Sequence, residues 1–193
     1  MSVNLNNSEE YVKELKIFND GLSGVVENVR VRIEKKSSTD PGDKNPNYKV
    51  IAADGKGEVN EGFYYCEPDS DAFNKYQAQR LINLAKGVLG DNVQFPVFNT
   101  PTEALDGVMR MVAPELNKFF RVAVCYGTKK KKSQYLGFKS FGSFIQLVTV
   151  PNTLSLGSAD STTRGEPKEA TPAEALIPKT VGGNPASLDW MNG

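Results

Sequence analysis

Apolar and polar positions alternate from Val25 to Lys36: Val25, Val29, Val31 and Ile33 share one phase with Glu27, while Asn28, Arg30, Arg32 and Glu34 share the other. A period of two over that length predicts a long half-buried strand whose outward face carries Arg30 and Arg32. Tyr48 to Ala53 predicts a second strand and Glu58 to Cys66 a third. Between them, Asp54-Gly55-Lys56-Gly57 is a hairpin turn, because Asp-Gly supplies the positive φ of a tight primed turn. The period then lengthens. From Asp71 to Leu89, the residues Phe73, Tyr76, Gln77, Leu81, Leu84 and Val88 fall near one stripe, which predicts an amphipathic helix closed by Gly90. Thr100-Pro101-Thr102-Glu103 opens a second helix with an N-cap, a proline at the first helical position and a capping-box glutamate, and this helix runs through Val112. Phe119 to Thr128 and Tyr135 to Val148 read as the fourth and fifth strands, with Lys129–Lys132 at the turn between them; Gly137 and Gly142 predict bends or bulges in the fifth.

The fold class expected from this order is mainly β: a five-stranded OB-fold barrel with a helical insert between strands 3 and 4, over about residues 68–117, and a disordered C-terminal tail. An open antiparallel sheet with helices on one face has the same order of elements, and sequence order does not separate the two. The expected organisation is an N-terminal extension over 1–20, an OB-fold domain over 21–151 and a flexible tail over 152–193. The tail is rich in Ser, Thr, Pro, Gly and Ala, with few large apolar residues to offset the entropy of ordering it.

Composition narrows the chemistry. The chain has no histidine, which removes the usual acid/base at neutral pH, the triad partner and the commonest metal ligand. Cys66 and Cys125 match no metal spacing and lie in strand-like runs, as buried reduced thiols do. Asp40-Pro41-Gly42-Asp43 lacks the further ligands of a calcium loop, and Gly55-Lys56-Gly57 matches no phosphate-binding loop. No enzyme, cofactor or metal site is expected. The first residues resemble no secretory signal and no apolar run reaches membrane-spanning length, so the expected location is cytoplasmic, in the host cell if the chain is phage-encoded, with no membrane partner.

Charge then points to a ligand. The chain is neutral overall, with 23 basic and 23 acidic residues. Phe119–Val148 nevertheless carries Arg121, Lys129, Lys130, Lys131, Lys132 and Lys139 with no acid, alongside seven aromatic residues. Positive charge attracts phosphates and flat rings stack on unpaired bases. Within this stretch Tyr126 and Tyr135 are better stacking candidates than the phenylalanines, because a hydroxyl tolerates water. Arg30, Arg32, Lys35, Lys36 and Lys49 would add charge from the first two strands of an OB-type sheet, and Tyr48 and Tyr64 would add rings. In the tail, Leu188, Asp189 and Trp190, the chain's one tryptophan, form a candidate docking motif for a partner groove.

Val29-Arg30-Val31-Arg32-Ile33-Glu34-Lys35-Lys36, Tyr48-Lys49-Val50-Ile51-Ala52-Ala53-Asp54-Gly55, Gly62-Phe63-Tyr64-Tyr65 and the closing Phe119–Val124 and Tyr135–Phe144 strands resemble the single-stranded-DNA-binding proteins of tailed bacteriophages, over roughly residues 20–150. The resemblance implies an OB-fold that coats unpaired DNA in phage replication, recombination or repair, and a C-terminal tail that recruits replication or recombination proteins. Family tails are strongly acidic, whereas here the tail holds five acids against three bases. The alternative expectation is a structural or adaptor protein of a phage particle that uses the same barrel for protein contacts.

Overall fold

The computed structural model describes residues 17–36, 45–67 and 70–166. Six strands and two helices follow in the order β1 (Gly24–Lys35), β2 (Tyr48–Ala53), β3 (Glu58–Phe63), α1 (Ala78–Leu89), α2 (Pro101–Val112), β4 (Phe119–Gly127), β5 (Lys132–Phe138) and β6 (Ile145–Leu147). All pairings are antiparallel, in the order β3-β2-β1-β4-β5, with β6 also on β4. The sheet is open: among the described residues no ladder joins the edge strands β3 and β5, although their Cα atoms approach within 8 Å.

Strand alternation holds along β1 with one break. Val26, Val29 and Val31 are buried, so Val26 takes the inward phase expected of Val25. The cause is a bulge: Glu27 and Asn28 together oppose Arg121, and Asn28 sits at φ 56°. One extra residue flips the phase of everything before it. The expected fifth strand divides in two. β5 pairs with the second half of β4 and β6 with the first, while Ala123 bonds both ends of the intervening loop, accepting from Lys139 N and donating to Phe144 O.

The helices pack against the sheet. Leu81, Leu84, Ala85 and Val88 of α1 and Leu105, Val108, Met109 and Val112 of α2 join Val29, Val31, Val50, Phe63, Phe120, Val122 and Phe144 in one core. Gly87 allows α1 to touch β6 directly, since a Cβ there would lie 2.1 Å from the Ile145 carbonyl oxygen. The N-cap of α2 forms as expected, Thr100 Oγ1 accepting from Glu103 N at 3.1 Å, while the Glu103 carboxylate reaches one residue past the N-cap and accepts from Asn99 N at 2.9 Å. A buried Arg80 bridges the open seam, donating to the Glu61 carboxylate of β3 and, at 2.9 Å, to the Lys139 carbonyl at the end of β5.

Two expected boundaries move. Phe18, assigned to the N-terminal extension, is buried in the core, and Asn19 N donates to Asp54 Oδ2 at 2.6 Å. Residues 152–166, assigned to the flexible tail, form an ordered strap. Ser161 O accepts from Tyr126 N at 2.9 Å, Ser161 N donates to Gly127 O at 3.0 Å, and Gly165 N donates to Ser133 O at 2.8 Å. Leu154, Asp160 and Ser161 are buried. A segment poor in large side chains is held here by backbone hydrogen bonds to strand ends that would otherwise lack partners.

Candidate nucleic-acid interface

The β4–β5 hairpin presents Lys129, Lys130, Lys131 and Lys132, all exposed, and no ion pair holds any of them among the described residues. Gly127 turns the chain here at φ 73°, where a Cβ would sit 2.7 Å from Lys131 O. The strap fixes the tip, because Lys129 N donates to Ala159 O at 2.8 Å. β5 then leaves the ladder. Only Tyr126 lies between Cys125 and Gly127, while Ser133 to Leu136 lie between their partners Gly137 and Lys132. The bulged segment lifts Tyr135 to 75% exposure. A cavity of about 630 Å³ opens beside it, lined by Lys131, Lys132, Ser133, Gln134, Tyr135, Ser140 and one acid, Glu166. Cationic side chains, small polar groups and one free ring face thus share a surface. Lys139 stands nearby, half-buried, with Nζ donating to Ser155 O at 2.6 Å.

The other basic candidates lie on β1, just after it and on β2, and Arg30, Arg32 and Lys35 are engaged by protein groups. β1 pairs its first residue, Gly24, with Val124 near the hairpin, and Lys35 is eleven residues further along, up to about 36 Å for an extended strand. Arg32 binds Glu58 through two nitrogens, at 2.8 and 3.0 Å, and Glu34 at 3.0 Å; these hydrogen bonds raise its pKa further. Arg30 donates to Asn117 O at 2.7 Å and stacks 3.6 Å above the Phe119 ring. Lys35 lies 3.7 Å from Asp106, over the Tyr48 ring, and its pKa is raised by Tyr48 and Asp106. Lys36 N donates to Asn47 O, and Lys49 is half-buried on β2.

Three expected contact residues are internal. Tyr48 is 6% exposed and donates to Asp106 Oδ1 at 2.5 Å; Tyr126 is 9% exposed and donates to Gly21 O at 2.6 Å. Arg121 is buried, paired with Glu27 at the bulge and donating to the Val148 and Val150 carbonyls. Alternation alone explains Tyr126, which continues the inward phase of Phe120, Val122 and Val124. Tyr64 is 46% exposed. Four further exposed rings are not among the expected contact residues: Tyr65, Tyr76, Phe119 and Phe141. Tyr76 stands off the expected apolar stripe, which Gln77 continues at helical spacing with Leu81, Leu84 and Val88; Phe73–Gln77 form a π-helical turn at this end of the helix.

Cys125 is buried beside Asp160, where burial and the neighbouring charge raise the thiol pKa; Cys66 is half-buried, its thiol 3.5 Å from Tyr64 O, and neither forms a disulfide. Among the described residues, no group of three or more acids and cysteines is placed to hold a metal ion and no helix is long and apolar enough to cross a membrane. Leu188, Asp189 and Trp190 lie outside the described residues. No protein-family model, curated protein or solved structure matches the chain.

Proposed function

We propose that this chain binds single-stranded DNA without reading its sequence, in phage DNA replication, recombination or repair, and does no chemistry on it. The observation that carries the proposal is the hairpin: four exposed lysines free of acidic partners among the described residues, beside the exposed Tyr135 ring and an open cavity. Ammonium groups at a hairpin tip neutralise phosphates as point charges, without base readout. A ring face accepts any base.

We take the sheet as an OB barrel open at one seam. The order β3-β2-β1-β4-β5, the nearness of β3 to β5 and the helix lying across that gap support this reading. Leu188, Asp189 and Trp190 would then recruit replication or recombination proteins. A second reading, an adaptor of a phage particle, draws on the β1–β3 outer face, where Glu34 and Glu58 neutralise Arg32. Titration with oligo-dT at low salt separates the two. Binding that weakens when Lys129–Lys132 become alanine supports the first reading, and no binding leaves the second.

A further inference from the structure

A second ring-lined cleft lies across the seam from the hairpin. Phe63, Tyr64, Cys66, Ala72, Tyr76 and Arg80 enclose a cavity of about 250 Å³. Tyr64 is 46% exposed and Tyr76 50%. Both are positioned rather than loose. Tyr76 lies in the π-helical turn Phe73–Gln77 with its hydroxyl donating to Glu61 Oε1 at 3.4 Å, and the buried Gln77 grips Tyr64 by both backbone groups, accepting from its N at 2.9 Å and donating to its O at 2.7 Å. The floor is the Arg80–Glu61 pair. No buried side-chain polar atom among the described residues lacks a partner, so the cleft offers ring faces and aliphatic surface with no vacant donor seeking a particular base edge. Such lining suits stacking that tolerates any base.

One side chain links the cleft to the lysine-lined cavity. Arg80, on the floor of the cleft, also donates to Lys139 O; the next residue, Ser140, lines the first cavity. Asn83 holds the same loop at Gly142 O, 2.9 Å away, and Phe141, 59% exposed, stands between the two anchor points. Exposed rings thus stand on both sides of the β3–β5 seam: Tyr135 and Phe141 on the β5 side and Tyr64 and Tyr76 on the β3 side.

We propose that unpaired DNA crosses this seam, with phosphates on the hairpin lysines, one base on Tyr135 and another in the Tyr64–Tyr76 cleft, and Phe141 on the ridge between. The inference rests on the single-stranded-DNA reading of the hairpin. Its test uses the full chain and an oligo-dT of about 30 nucleotides, longer than a single OB-type site. Tyr76→Ala and Tyr64→Ala should each weaken binding by at least about fivefold. A strand carrying 5-iodo-deoxyuridine should crosslink, in the unmodified protein, to peptides containing Tyr64 or Tyr76 as well as to the hairpin. Loss of affinity in the Lys129–Lys132 alanine variant, with both tyrosine variants within about twofold of the parent and crosslinks confined to the hairpin, would overturn the path and leave the DNA-binding reading standing. Absence of any oligo-dT binding by the parent protein would overturn both.

Discussion

At Asp106, two tyrosine hydroxyls converge on one carboxylate oxygen, Tyr48 at 2.5 Å and Tyr65 at 3.0 Å, with Lys35 Nζ at 3.7 Å. Burial alone would raise this carboxyl. The two hydroxyls and the Lys35 and Arg110 charges outweigh it and hold the pKa below its ordinary 3.8. A depressed folded-state pKa stabilises the protein above the ordinary value, and the contribution is lost as pH falls through the folded-state value. Asp106→Asn should therefore cost about 1–2 kcal/mol at pH 7, and the difference from the parent in urea unfolding should shrink below about pH 4. Arg80 is the deeper charge. Arg80→Leu leaves Glu61 largely buried without its partner, and urea unfolding should record a loss of about 3–5 kcal/mol; Arg80→Leu with Glu61→Leu should recover much of it. Neither node was legible in the sequence, because each joins residues from separate elements. The fates of Tyr48, Tyr126 and Arg121 have the same origin: residue type suggested a ligand, while strand phase and distant partners decided burial.

Elements were far more legible than their boundaries. The β2–β3 hairpin, the capped start of α2 and the five strand-forming runs follow from period, turn chemistry and caps. Three departures have local causes that periodicity does not encode: the bulge at Glu27 and Asn28, the π-helical turn before α1, and the division of the last strand where Ala123 bonds both ends of a loop. The strap was misread for a different reason. Composition estimates how much apolar surface a segment can bury, but 152–166 is secured by backbone bonds to β4 and β5. A chain ending at residue 151 should expose Cys125, now under Asp160, and react with a thiol reagent much faster than the parent. A chain ending at residue 166 should keep Cys125 protected, and equal labelling of the two truncations would remove the strap from the fold.

On the scale of the whole molecule, the charges divide. One end of the sheet carries cations paired with acids, Arg32 with Glu34 and Glu58 and Lys35 with Asp106, while the other carries four hairpin lysines in no ion pair among the described residues, with Glu166 the one acid lining the cavity beside them. Zero net charge thus conceals one cationic end, and the DNA-binding account stands on that asymmetry rather than on composition. Its most direct test is oligo-dT affinity at several salt concentrations for the parent and for the Lys129–Lys132 alanine variant. The parent should bind at low salt and lose affinity steeply as salt rises, and the slope of log K against log [salt] should be reduced in the variant by up to about 0.7 for each phosphate that a lysine no longer neutralises. No binding at low salt, or the same slope in both proteins, would contradict it.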